Sequence, residues 1–209
     1  MHEKLSGLYA ITDATQSDIQ KLILDVEQAL LGGARIIQFR DKSNDQQQRL
    51  KTANQLRKLT RQYDALFIIN DDPQLAKSAN ADGVHLGQDD INIKVARALL
   101  GDDSIIGVSC YNRFDLAQQA VASGANYIAF GRFFPSRTKP NAPTAKAELL
   151  SRAQQELKIP TVAIGGITAI NGRDLINAGA NMLAVVDGLF GKADTLDAAR
   201  QYQSLFNTH

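Results

Sequence analysis

Three groups of residues in this chain have types and spacings suited to holding anions. The first is a loop after the apolar run Tyr127–Phe130. It carries Arg132, followed by Ser136, Arg137, Thr138 and Lys139 between Pro135 and Pro140. Three cations and two hydroxyls at a strand end suit an anionic ligand. The second is Gln38-Phe39-Arg40-Asp41-Lys42. Side chains alternate along a strand, so Ile37 and Phe39 share one face and Gln38 and Arg40 the other. The apolar pair is expected to pack outward, with Gln38, Arg40 and then Lys42 facing a pocket. The third is acidic: Asp71-Asp72-Pro73 and Asp89-Asp90. Two carboxylates facing one pocket repel unless a proton or cation lies between them. Mg²⁺ takes one or two carboxylates, keeps waters and completes its shell with substrate phosphate oxygens. Asp71 and Asp90 are the candidates for that role.

Each group also has a plain structural reading. Gln38 and Arg40 are equally expected as strand-end polar groups reaching solvent. Asp72, followed by Pro73, reads as a helix cap with proline at the first helical position, which leaves Asp71 spare. One of Asp89 and Asp90 is expected to cap the next helix. Ser109 offers a hydroxyl or simply makes a turn. Gly165-Gly166 either lets backbone N–H groups approach an anion or forms a tight turn. His85, within a strand, is expected to be a satisfied core or helix-facing residue, and Cys110 a packing residue. His2 and His209, at the termini, carry no expected role.

The elements that must position these residues show first as a repeat. Gly33-Ala34-Arg35-Ile36-Ile37 is matched by Gly124-Ala125-Asn126-Tyr127-Ile128 and Gly179-Ala180-Asn181-Met182-Leu183, and more weakly by Asn80-Ala81-Asp82-Gly83-Val84. Each copy reads as a helix that ends and feeds a buried strand. Eight strands are expected, at Gly7–Thr12, Arg35–Arg40, Leu66–Asn70, Gly83–Leu86, Ile105–Ser109, Tyr127–Phe130, Thr161–Ile164 and Met182–Val186. Helical patterns follow them, among them Ser17–Leu31, Asp45–Tyr63, Asn92–Leu100, Asn112–Ser123 and Ala169–Ala178. Asn112 is a candidate cap with Asp115 in the first turn, and Asp194–Phe206 makes a last helix. Strict alternation implies parallel pairing with right-handed crossovers. The expected fold is α/β, a single-domain (β/α)₈ TIM barrel over residues 1–209, with an open doubly wound sheet as the competing arrangement. In such a barrel the chemistry sits at the C-terminal strand ends, and the loops after strands seven and eight often hold phosphate. The first of those loops contains Gly166, and the second follows the strand end Val185-Val186-Asp187-Gly188.

Composition narrows the function. The chain has 209 residues, a net charge of +1, one cysteine and no tryptophan. No global field favours nucleic acid, and aromatic side chains for base stacking are few. No apolar run approaches a membrane span, and MHEKLSGLYAITD lacks a signal core, so a cytoplasmic protein is expected. Homo-oligomerisation is left open. Together, a metal-bound cationic pocket and a separate neutral cradle describe two small-molecule substrates, a diphosphate and a monophosphate. No activated nucleophile is apparent, and none is required, because diphosphate leaves readily once its charge is stabilised.

Several motifs resemble one family. They are Gly7-Leu8-Tyr9-Ala10-Ile11-Thr12-Asp13, Gln38 to Lys42, Ile69-Asn70-Asp71, Gly83-Val84-His85-Leu86-Gly87-Gln88-Asp89-Asp90, Gly107-Val108-Ser109, the Pro135–Lys139 loop and Ala163-Ile164-Gly165-Gly166-Ile167. In this order they resemble the thiamine-phosphate synthases. The resemblance implies a barrel that joins a hydroxymethylpyrimidine diphosphate to a thiazole phosphate by a dissociative, Mg²⁺-assisted substitution. It implies that Gln38, Arg40, Lys42, Asn70, Ser109 and Lys139 contact the pyrimidine diphosphate, and that Asp71 and Asp90 bind Mg²⁺. Ser136, Thr138 and Gly166 fall where the family holds the thiazole phosphate, with backbone N–H groups near Val186. Ser136 stands where the family commonly has Thr, and Asp187 where relatives often have Ser. Three alternatives remain: a related thiazole tautomerase, which predicts gaps in the diphosphate and metal set; a non-catalytic barrel that binds a thiamine-related ligand and regulates a partner; and a generic phosphate-binding isomerase or aldolase, for which no Schiff-base lysine or acid–base pair stands out.

Overall fold

The helix-to-strand repeat has a stereochemical cause. Gly33, Gly124 and Gly179 have φ of +102°, +93° and +112°, and Asn80 has +50°. This left-handed exit suits glycine and is tolerated by asparagine. The following alanine then donates its N–H back to a carbonyl five residues earlier: Ala34 to Ala29, Ala81 to Ala76, Ala125 to Ala120 and Ala180 to Leu175. This is the bonding of a Schellman stop, and it turns the chain straight into the next strand. Asp64 and Lys158, with φ of +51° and +53°, make the same exit without the glycine signal.

The next repeat position sets strand register. Asn126 N donates to Ile106 O at 2.7 Å while Asn126 Oδ1 accepts from Ile106 N at 2.8 Å. Asn181 does the same with Thr161, and Asp82 with Phe67. Each side chain thereby satisfies a buried N–H at the first or second residue of the preceding strand. Arg57 adds a forked ion pair to Asp82 at 2.6 and 2.7 Å.

The computed structural model describes residues 4–13, 18–135 and 143–207. The strands are β1 (Gly7–Ile11), β2 (Ile36–Phe39), β3 (Leu66–Asn70), β4 (Gly83–Leu86), β5 (Ile105–Ser109), β6 (Tyr127–Phe130), β7 (Thr161–Ile164) and β8 (Met182–Val185). The helices are α1 (Ile19–Leu31), α2 (Gln46–Gln62), α3 (Pro73–Ser78), α4 (Ile93–Leu100), α5 (Phe114–Ala122), α6 (Glu148–Glu156), α7 (Gly172–Asn177), α8 (Asp187–Phe190) and α9 (Thr195–Ser204). All strand pairs are parallel, and β1 pairs with β8 as well as β2, through Leu8 opposite Leu183. The sheet is therefore a closed barrel in chain order, not an open sheet.

Alternation divides the apolar residues into two layers. Leu8, Ala10, Ile37, Phe39, Val84 and Leu86 pack outward with helix residues such as Val26 and Leu56. Tyr9, Ile11, Ile36, Ile68, Ile105, Tyr127 and Met182 fill the interior, with Leu5 buried just before β1. No helix among the described residues is long and apolar enough to cross a membrane.

Two expected caps are corrected. Asn112 does not cap α5. Arg113 occupies the cap position without a side-chain bond, and the Asn112 amide donates to Thr144 O at 3.3 Å. A tertiary contact has claimed that side chain, while Asp115 lies in the first turn as expected. Neither Asp89 nor Asp90 caps α4. Asn92 does so, accepting from Lys94 N at 2.8 Å, because the turn after β4 delays the helix. The short helix α8 was not anticipated.

Asn126→Ala removes the acceptor for the buried Ile106 N–H. It is expected to destabilise the fold by about 1–3 kcal/mol in urea unfolding, with no direct effect on ligand binding.

Candidate active site

At the end of β2, Gln38 is buried, 2% exposed, and donates from Nε2 to Tyr9 Oη at 2.7 Å. Arg40 follows the strand, and its N–H donates to Thr12 Oγ1 at 2.9 Å, which ties the ends of β1 and β2 together. The Arg40 side chain lines a cavity of about 280 Å³ at the C-terminal mouth of the barrel. Lys42, Asn70, Asp71, Asp90 and Ser109 line the same cavity. Residues from the ends of β2, β3, β4 and β5 thus meet in one place.

Asp72 caps α3, accepting from Leu75 N at 2.9 Å, and pairs with Arg49 at 3.1 Å. Asp71 is spared, as its neighbour's capping role requires. Its φ of +63° is one that aspartate tolerates, and its N–H continues the ladder to His85 O at 2.8 Å. This turn aims the carboxylate at the cavity. Asp90 is held from the other side, where Oδ2 accepts from Gly87 N at 2.6 Å. Burial, followed by the contact with Asp90, pushes the Asp71 carboxyl up to about 6, and Lys42, with Nζ 4.0 Å from Asp71 Oδ2, only partly opposes this. Among the described residues, no cluster of three or more His, Cys, Asp or Glu forms a closed metal cage. Mg²⁺ takes one or two carboxylates and completes its shell with water and substrate oxygen, and Asp71 and Asp90 at this open mouth have that chemistry.

The sequence reading missed part of this wall. His85 is a satisfied core residue, but it faces the barrel interior rather than the helices. Its Nδ1 lies 2.9 Å from Tyr127 Oη and its Nε2 2.9 Å from Ser109 Oγ. The alternation that placed Gln38 inside would have placed His85 inside too, since Val84 and Leu86 pack outward. Gln88, which donates to Ser109 O, and Tyr111 also line the cavity. Cys110 is buried, and burial pushes its thiol up to about 12, in keeping with packing.

Gly165 and Gly166 have φ of +100° and +65°. A Cβ on Gly166 would fall 2.3 Å from Pro135 O, and one on Gly165 2.3 Å from Arg132 Cβ. The pair therefore lets the loop after β6 lie directly on the loop after β7. Val186 immediately precedes α8, beside that same region of the rim. Ser136, Arg137, Thr138 and Lys139 lie outside the described residues. A larger, more open hollow of about 510 Å³, lined by Asn112, Thr144 and Arg152, holds none of the candidate groups.

The profile of the family described as thiamine monophosphate synthase matches residues 8–189. The chain belongs to the thiamine monophosphate synthase family. A relative named thiamine-phosphate synthase from Alcanivorax borkumensis is 51% identical over 209 residues, covering 99% of this chain and 96% of that one. Another of that name, from Thioalkalivibrio sulfidiphilus, is 48% identical, covering 98% and 97%. Among solved structures, a thiamine phosphate pyrophosphorylase from Pyrococcus furiosus superposes with a TM-score of 0.85 at 34% identity, covering 97% of this chain and 96% of that one. The 3-hexulose-6-phosphate synthase structure, at 15% identity and a TM-score of 0.69, shares the barrel alone. Each of the two named relatives and the Pyrococcus furiosus structure matches nearly the whole of this chain.

Because its folded-state pKa is raised, Asp71 contributes stability that is fully present below about pH 4 and lost as pH rises through about 6. Asp71→Asn, which tolerates the same φ, is expected to raise the melting temperature of the metal-free protein above pH 6. The gain should vanish near pH 4, as read by calorimetric scans at the two values.

Proposed function

We propose that this chain is a thiamine-phosphate synthase, a transferase of thiamine biosynthesis acting in the cytoplasm. It joins 4-amino-2-methyl-5-hydroxymethylpyrimidine diphosphate to hydroxyethylthiazole phosphate, giving thiamine phosphate and diphosphate. The observation that carries this reading is the meeting of Arg40, Lys42, Asn70, Asp71, Asp90 and Ser109 at one cavity. A tautomerase would not need that diphosphate and metal set.

In this reading Arg40, Lys42, Ser109 and Lys139 act on the diphosphate, and Gln38 and Asn70 help orient the pyrimidine half. Asp71 and Asp90 would hold Mg²⁺, which when bound supplies charge to stabilise the leaving diphosphate. Ser136, Thr138, Gly166 and the backbone near Val186 would hold the thiazole phosphate. The bond between the pyrimidine methylene and the diphosphate oxygen breaks, and its electron pair leaves with the diphosphate. The resulting pyrimidinylmethyl cation is captured by the thiazole nitrogen, whose lone pair forms the new C–N bond. The protein's contribution is to neutralise the departing charge and hold the nitrogen in line. Asp187 begins α8 beside this cradle, and no cation pairs with its carboxylate among the described residues. In this reading the backbone, rather than that side chain, serves the phosphate.

The test is thiamine phosphate formation from the two purified substrates, with Mg²⁺ and then with a chelator. Metal-dependent product is expected; no product in either condition would overturn the reading. Arg40→Ala and Lys139→Ala are each expected to lower kcat/KM by roughly 10²–10³ with little change in stability. Asp71→Ala should weaken the response to Mg²⁺.

A further inference from the structure

A polar chain crosses the barrel interior, and the reading above uses only its two ends. Gln38 Nε2 lies 2.7 Å from Tyr9 Oη, and Tyr9 Oη lies 2.8 Å from Tyr127 Oη. Tyr127 Oη lies 2.9 Å from His85 Nδ1, and His85 Nε2 lies 2.9 Å from Ser109 Oγ. The five residues come from β2, β1, β6, β4 and β5, and the chain ends at the cavity wall. Ring packing fixes its middle. Tyr9 meets Tyr127 edge to face at 6.0 Å, and His85 stacks on Tyr127 at 5.5 Å. Tyr9 and Tyr127 are fully enclosed, so their protons have no water to turn to.

The proton count gives this chain a direction. An amide nitrogen only donates, so Tyr9 Oη accepts from Gln38. The single Tyr9 proton then goes to Tyr127, and the Tyr127 proton goes to His85 Nδ1. A neutral imidazole that accepts at Nδ1 carries its proton on Nε2 and donates it to Ser109 Oγ. The Ser109 proton is thereby left to point into the cavity. Run the other way, the chain would strand the Tyr9 proton in the core. It would also spend the Ser109 proton on His85, leaving only oxygen lone pairs to face an anion.

We propose that Tyr9, Tyr127 and His85 are positioning residues whose hydrogen-bond polarity, set by the Gln38 amide, holds Ser109 as a donor to the departing diphosphate. The proposal rests on the function proposed above and adds a reason for buried tyrosines inside the barrel. It also gives Gln38 a task beyond touching substrate, because one atom of its amide sets the direction of the whole chain.

The direct test is long-range ¹H–¹⁵N correlation of the His85 imidazole in the ligand-free protein. Wild type is expected to show a bare Nδ1 and a protonated Nε2. In Gln38→Glu the carboxylate can only accept, so the polarity reverses and the proton moves to Nδ1. A role confined to packing would not move it. A protonated Nδ1 in wild type, or a bare one in Gln38→Glu, overturns the proposal.

Should Gln38→Glu fail to fold, kinetics supply a second measure. His85→Asn reaches only the Nδ1 position and is expected to lower kcat by roughly 10–100-fold, with KM for the pyrimidine diphosphate changed much less. His85→Gln can place an N–H where Nε2 stands and should recover most of that loss. Equal losses in both variants overturn the proposal. Binding of inorganic diphosphate with Mg²⁺ to Ser109→Ala locates any failure. If it equals wild type while Nδ1 is bare, the assignment of Ser109 to the diphosphate is what falls.

Discussion

Closing the ring through the β1–β8 ladder is the constraint on which the rest of the molecule depends. With every strand parallel, closure sends all the C-terminal strand ends to one rim, so groups distant in sequence have to meet there. The left-handed exits at Gly33, Asn80, Gly124 and Gly179 keep the helix-to-strand turns short, and Asp82, Asn126 and Asn181 pin the register. A one-residue slip would send Gln38 and His85 into the helix layer and Phe39 and Val84 into the interior. Register is therefore a condition for the site as well as for the core.

The rim is electrostatically unbalanced by itself. Asp71 is lifted by burial and by Asp90, and Lys42 at 4.0 Å offsets this only in part. Such a site stores unfavourable energy that a cation relieves. A cation bound there in turn makes the mouth receptive to an anion already favoured by Arg40 and Lys42. Beneath it one hydrogen-bonded polar chain crosses an otherwise apolar interior. The chain from Gln38 to Ser109 lies among Ile11, Ile36 and Ile68, with each of its members paired. Site and core are thus continuous through the same strands.

Local rules made much of this legible in the sequence. Alternation along β2 separates Gln38 and Arg40 from Ile37 and Phe39, and Asp72-Pro73 announces the cap that frees Asp71. The repeat announces the strand starts. What escaped depends on partners far along the chain. Alternation along β4 turns His85 inward, but its hydrogen bonds need Tyr127 and Ser109, from β6 and β5. Asn112 was drawn away from its helix by Thr144, and the cap of α4 moved to Asn92 because the Gly87–Asp90 turn intervened. Gly165 and Gly166 read as a phosphate cradle, yet their missing Cβ atoms also make room for the loop after β6. That demand is invisible without the neighbouring strand.

If the opposed carboxylates and the cationic wall form one site for a metal–diphosphate pair, the two ligands must bind cooperatively. Calorimetric titration of Mg²⁺ with and without inorganic diphosphate tests this most directly. Diphosphate is expected to tighten Mg²⁺ binding by about tenfold or more, Mg²⁺ to do the same for diphosphate, and Asp71→Asn to abolish the coupling. Mg²⁺ affinity that is indifferent to diphosphate, or coupling that survives Asp71→Asn, would contradict it.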